Sequence, residues 1–403
     1  MKVSKKALAV VAAFVALSMI ATGCSKPAAS TDGGSKEAKT ISIGVGAPLT
    51  AGAVALGQGM KRGAGLAIDE ANKSEAAKAA GLQFKAVDGD DQGDPKTGVT
   101  VANTFASDAN LLGVMGHLNS GVSIPASKVY ADKKIVMISP ASTNPALTQQ
   151  GLSNVFRVCT TDAVQGPAAA DYATKLLGFK TAYVIDDSTP YGEGLAAEFA
   201  KQFEADGGKV LGTAKTSDKD TDFNALVTKM KGMSPDVIYY GGIYNAGALL
   251  TKQAKEAGMK SPLMGGDGLY DGEFVKLAGG TPAEGDFATS VGIPLDKLPK
   301  GQDFTTAYKA LYPSDEIAAY DAYAYDATNV IIAAIIKAAT DQGVDKLTSP
   351  AGRDAVIANV AATSTEGVTG AIAFDAKGDT TNKAISLYVV SGGKWTTKAA
   401  AGQ

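Results

Sequence analysis

Cysteine is nearly absent from this chain: Cys24 and Cys159 are the only two. A disulfide framework is therefore excluded, and a folded body of this size must rest on its core instead. Histidine occurs once, as His117, so no histidine cluster can hold a metal. The single tryptophan, Trp395, lies near the C-terminus and builds no stacking platform. No P-loop, HExxH or GxSxG pattern occurs, which removes the common signatures of nucleotide, zinc-protease and serine-hydrolase chemistry. Excess positive charge is also missing. The formal charge is −3, and it becomes −6 without Lys2, Lys5 and Lys6. No basic patch is left to bind nucleic acid.

Long apolar runs are scarce too. The apolar stretch at residues 7–20 is short of the roughly 20 residues that a bilayer span needs. It follows three lysines and ends in small residues, as a secretory signal does. ATGC, ending at Cys24, reads as a lipoprotein processing site, so residues 1–23 are the expected signal peptide and Cys24 the expected site of lipidation. Residues 24–40 are small, polar and punctuated by Pro and Gly, which predicts a flexible tether. With Cys24 acylated, Cys159 has no partner. Its setting in VFRVCT predicts a buried thiol.

What remains is rhythmic. Short apolar strands alternate with helical stretches: ISIGV, LQFKAV, LLGVMG and KIVMIS, then again KTAYVID, KVLGTA, DVIYYG and SPLMGG. Each run is followed by a helix pattern, except the Pro-containing loop after KIVMIS and the glycine loop after SPLMGG. This is the βαβ pattern of a parallel sheet, and it occurs twice. The expected fold is α/β with two lobes, each a parallel sheet with helices on both faces. The later segment at residues 318–339 reads as a buried helix. GAIAFD and AISLYVV are expected to form an antiparallel pair. The lobes are expected to be 41–161 plus 288–367 and 162–287 plus 368–403, with crossings near Thr160, Phe287 and Gly367. Three crossings make a hinge and place a cleft between strand ends.

Ligand groups in such folds gather in loops after strand C-termini. Four loops stand out: GHLNSG, SPASTNPAL, TTDAVQG and GGDG. Hydroxyls and helix-initial N–H groups suit a carboxylate, which singles out Ser120 and Thr143. Asp162 and Asp267 suit an ammonium. Together they match the head group of an amino acid. Tyr191, at the start of a helix, is a further candidate for the cleft wall. Lone His117 is expected to be structural, bridging loops near the hinge. No cofactor, metal or catalytic residue is expected.

GHLNSGVSIPAS, ISPASTNPALT, DAVQGPAAA, YGEGLA and VIYYGG resemble, in order and spacing, the branched-chain amino acid binding proteins of ABC importers, which have the type I periplasmic-binding-protein fold. The resemblance runs from about Ile41 to Trp395. It implies that Ser120 binds the ligand carboxylate, with Ala141 and Thr143 as backbone and hydroxyl partners. It implies that Asp162 and Asp267 take the ammonium and that Tyr191 lines the pocket. Leu56 stands where leucine-binding relatives place a tyrosine, and Ile243 replaces another, with Tyr244 one place late. A disulfide of those relatives would fall at Gly93 and Asn119, and is absent here. The resemblance thus implies a monomeric extracytoplasmic receptor, held to the membrane by lipid, that hands an aliphatic amino acid to the membrane subunits of an importer. An amide, a urea-like compound or an aromatic acid as ligand, or a sensor that docks on a membrane receptor, stays open at this point.

Overall fold

The computed structural model describes residues 38–400. The signal segment, Cys24 and residues 24–37 of the tether lie outside the described residues. Strand β1 (Lys39–Ala47) already includes Lys39 and Thr40, so ordered structure begins two residues before the expected tether end. Among the described residues no helix is long and apolar enough to cross a membrane.

The first sheet is built from β1, β2 (Leu82–Asp90), β3 (Leu111–Gly116), β4 (Val136–Ser139) and β5 (Val155–Arg157). Its order is β2-β1-β3-β4-β5, with every pairing parallel. β3 and β4 are buried along their whole length, as parallel strands covered on both faces must be. Alternation sorts their side chains between two layers. Val114 and Met137 pack with Phe105 and Tyr130 on one face. Met115 and Ile138 belong to the core on the other face, with Met60, Ile331 and Ile335. There the helices Val54–Lys73 and Asp321–Gln342 lie in close contact. Gly59 and Gly63 permit this, because a Cβ on Gly59 would sit 1.9 Å from Asp321 Oδ1 and one on Gly63 2.1 Å from the Asp321 carbonyl oxygen.

The second sheet holds β6 (Thr181–Asp186), β7 (Lys209–Lys215), β8 (Val237–Gly241), β9 (Leu263–Gly265) and β10 (Phe287–Val291). A small hairpin, β11 (Ser364–Gly367) with β12 (Gly370–Ala373), stands apart. β13 (Ile385–Ser391) and β14 (Lys394–Ala399) then complete the second sheet in the order β14-β13-β10-β9-β8-β6-β7.

This corrects the expectation in three places. The second sheet is mixed rather than parallel, because β13 runs antiparallel to both β10 and β14. GAIA pairs with Ser364–Gly367 and not with the AISLYVV strand. The crossings also move. β10 is a full member of the second sheet, so the chain leaves it after Val291, not at Phe287. On its return the chain is still against the first lobe at Val368, which packs with Leu66 and Phe304. It still touches β5 at Asp379, and it joins the second sheet only at Ile385, well beyond Gly367.

Candidate functional site

The C-terminal ends of the strands converge on one cleft. After β3 the chain turns through His117 and Asn119 into the helix Ser120–Asp132. Ser120 is buried, and its hydroxyl oxygen accepts the N–H of Asn144 at 3.2 Å. It therefore ties two loops together rather than capping its own helix. The Val122 and Ser123 N–H groups bond the Asn119 carbonyl oxygen, so only the first N–H groups of the helix remain to meet an anion.

His117 organises this corner without itself lining the cleft. Its Nδ1 lies 2.7 Å from Asp91 Oδ2 and its Nε2 2.8 Å from the Tyr130 hydroxyl. Its carbonyl oxygen accepts the hydroxyls of Ser139 at 2.8 Å and Ser142 at 3.1 Å. Ser139 in turn accepts the Ser142 N–H at 2.9 Å, so the loops after β3 and β4 share one hydrogen-bonded frame. Arg157 fixes the second loop from beneath. It is fully buried, bonds Asp379 at 2.6 Å, and donates to the carbonyl oxygens of Ser142 and Asn144 at 2.7 and 2.9 Å.

Two acids complete the site. Asp162 opens the helix Asp162–Asp171 and Asp267 opens the short turn after β9; both are wholly buried. Burial pushes the Asp162 carboxyl up to about 8; the nearby Thr143 hydroxyl pulls it downward and Asp267 adds to the rise. Neither Asp162 oxygen has a hydrogen-bond partner, and neither does the Thr143 hydroxyl. Asp267 is different. Tyr191 donates its hydroxyl to Asp267 Oδ1 at 2.8 Å, and Tyr320 donates to Oδ2. Burial still raises the Asp267 carboxyl, with those two phenols pulling the other way. Burial also holds the phenols well above their ordinary range, so they remain protonated donors.

Ser120, Tyr191 and Tyr320 border a small cavity whose atom-free space, including its open mouth, is about 290 Å³. Leu56, Leu118, Ala141, Ile243 and the Tyr320 ring give it apolar walls; Ser120, Asn119 and Tyr191 add polar atoms. Five of the candidate residues thus meet around one space: Leu56, Ser120, Ala141, Tyr191 and Ile243. Thr143, Asp162 and Asp267 are buried outside that lining, with Asp267 joined to it through Tyr191 and Tyr320. Tyr244 is not among the lining residues. Its hydroxyl accepts the N–H of Ala55 at 3.2 Å, on the helix that carries Leu56 in the other lobe. Asn245 donates to the Gly52 carbonyl oxygen at 3.1 Å, and Asn144 donates to that of Pro190 at 2.6 Å. These contacts hold the cleft shut. Gly93 and Asn119, the two positions of the missing disulfide, are neighbours: a Cβ on Gly93 would lie 3.4 Å from Asn119 Oδ1. Cys159 is buried and free, and burial pushes its thiol up.

Residues 40–394 match the model of the periplasmic binding protein family. The chain belongs to this family. A Leu/Ile/Val-binding protein homolog of Brucella abortus is 34% identical over 350 residues, covering 87% of this chain and 89% of the relative. Among solved structures, a leucine binding protein of Thermotoga maritima superposes with a TM-score of 0.81 at 28% identity, over 90% of this chain and 98% of that one. A branched-chain amino acid transporter substrate binding protein of Streptococcus pneumoniae, in complex with isoleucine, gives 0.78 at 27% identity over 90% and 99%. Membership accounts for the two-lobed plan and for a cleft at the strand ends. Tyr320, Leu118 and Arg157 are parts of the site that the sequence did not single out. Arg157 reads as one polar residue in an apolar strand, and only the fold shows that it holds the loop after β4.

Proposed function

We propose that this protein is an extracytoplasmic receptor that binds a zwitterionic amino acid with an aliphatic side chain and delivers it to an ABC importer. The observation that carries this reading is Asp162, a fully buried carboxyl with both oxygens unpartnered, near enough to the cavity-lining Tyr191 and Tyr320 to act on them electrostatically. Because an unpaired buried charge costs several kcal/mol, burial keeps this carboxyl protonated up to about pH 8, and a ligand ammonium offsets that cost and lets the acid ionise. Ser120 and the N–H groups of its helix take the ligand carboxylate, with Thr143 supplying a further hydroxyl and Ala141 a backbone partner. Leu56 and Ile243 form the wall against the side chain. Tyr244 acts in closure rather than as wall. The names of the relatives support the same ligand class.

Binding favours the closed form because the second lobe adds Asp162 and Tyr191 to contacts made on the first, with Asp267 behind Tyr191. The membrane subunits of the importer recognise that closed surface. The chain acts as a monomer without a cofactor, and it carries out no catalysis. Cys24 carries palmitate-type lipid and anchors the receptor to the membrane face.

A thermal-shift screen against amino acids, plain carboxylates and amides tests the ligand class, after unfolding and refolding to strip any bound ligand. A ligand at about 100 times its dissociation constant adds roughly 2.7 kcal/mol. Shifts with leucine, isoleucine or valine are expected. Shifts with amides or simple acids alone contradict the proposal.

A further inference from the structure

We propose that Tyr320 latches the closed cleft by binding Asp267 across it, which commits that acid to closure and leaves Asp162 as the one carboxylate that meets the ligand ammonium. The inference rests on the amino acid reading above. Asp267 belongs to the second lobe, directly after β9, and Tyr320 stands immediately before the helix Asp321–Gln342 of the first. One Asp267 oxygen accepts the Tyr191 hydroxyl at 2.8 Å and the other accepts the Tyr320 hydroxyl. The Tyr191 oxygen also accepts the Gly268 N–H at 3.0 Å, which fixes that phenol within its own lobe. All three side chains are buried.

The two acids are therefore not equivalent. Both oxygens of Asp267 are engaged by neutral donors, and both of Asp162 are open. An ammonium carries three donors and no acceptor, and Asp162 offers it two open oxygens where each Asp267 oxygen already accepts a phenol. Asp267 then acts at one remove, through phenol oxygens that keep acceptor capacity of their own. Tyr320 is thus a positioning residue. Its ring closes the cavity while its hydroxyl joins the lobes.

Titration calorimetry and stopped-flow binding of the full chain decide this, with leucine and its ammonium-free analogue 4-methylpentanoate as probes. Asp162→Asn is expected to weaken leucine about a hundredfold or more and to abolish its preference over 4-methylpentanoate. Tyr320→Phe keeps the ring. It is expected to weaken leucine about tenfold through faster dissociation, with association unchanged and the preference for leucine retained. Asp267→Asn should match Tyr320→Phe, and the double variant should be no weaker than either, because the two residues act as one unit. The inference is overturned if Asp267→Asn abolishes the preference while Asp162→Asn keeps it, or if the Tyr320 and Asp267 effects add. A wild-type chain that binds 4-methylpentanoate but not leucine would instead bring down the amino acid reading, and this inference with it.

Discussion

Asp162 donates its backbone N–H to the carbonyl oxygen of Thr143 at 2.9 Å, yet the side chains of the same two residues have no hydrogen-bond partner. The backbone contact joins the lobes and holds the two side chains ready for a third party. Their cost in the ligand-free closed form should be measurable.

That cost depends on pH. Burial pushes the Asp162 carboxyl from 3.8 up to about 8. Between about pH 4 and pH 8 the unfolded chain has lost this proton and the closed folded chain keeps it, so stability falls as pH rises. Asp286 and Asp321, each pushed up to about 7 by burial, add to the same slope. Asp162→Asn should flatten part of the decline and make the ligand-free protein more stable near pH 8. Urea midpoints across this range check it. A variant with an unchanged slope would place Asp162 in water, outside the closed cleft.

Tyr244 and Asn245 hold the second lobe to the helix start at Ala55 and to Gly52. Tyr244→Phe removes one such hydrogen bond, worth about 0.5–1.5 kcal/mol. Ligand affinity should fall roughly 2–12-fold. Direct titration with leucine measures it.

Arg157 donates to the carbonyl oxygens of Ser142 and Asn144 and to the Thr148 hydroxyl while paired with Asp379. Arg157→Ala is expected to cost about 3–5 kcal/mol, since it removes the buried member of a partly buried pair. Arg157→Lys should rescue little, because a point charge cannot replace the planar fork. Denaturant unfolding of both variants tests this.

The strand–helix rhythm was legible because parallel strands covered on both faces read as short, uninterrupted apolar runs. β3 and β4 are examples, buried at every position. Strand partners were not legible. Ser364–Gly367, the partner of Gly370–Ala373, is STEG, which has no apolar pattern to announce a strand. Most polar candidates were readable because they sit at strand ends. Tyr320 was not, because it is one of three tyrosines in the run AAYDAYAYD. Tyr323 donates to the Val291 carbonyl oxygen and Tyr325 to Glu70, and nothing local distinguishes them from the one that faces the cleft.

The proposed lipid anchoring is tested at Cys24. Cys24→Ala should move the chain from the detergent phase to the aqueous phase in a phase-partition assay, without altering leucine binding. Two-phase extraction followed by immunoblotting reads the first effect, and calorimetry the second.

The most direct test is a crystal structure of the protein grown with leucine. The account predicts the ligand between the lobes, its ammonium within about 3 Å of the Asp162 carboxylate and its carboxylate in hydrogen-bond contact with the Ser120 hydroxyl. Leucine bound with the head group reversed, or bound away from Asp162, would contradict it.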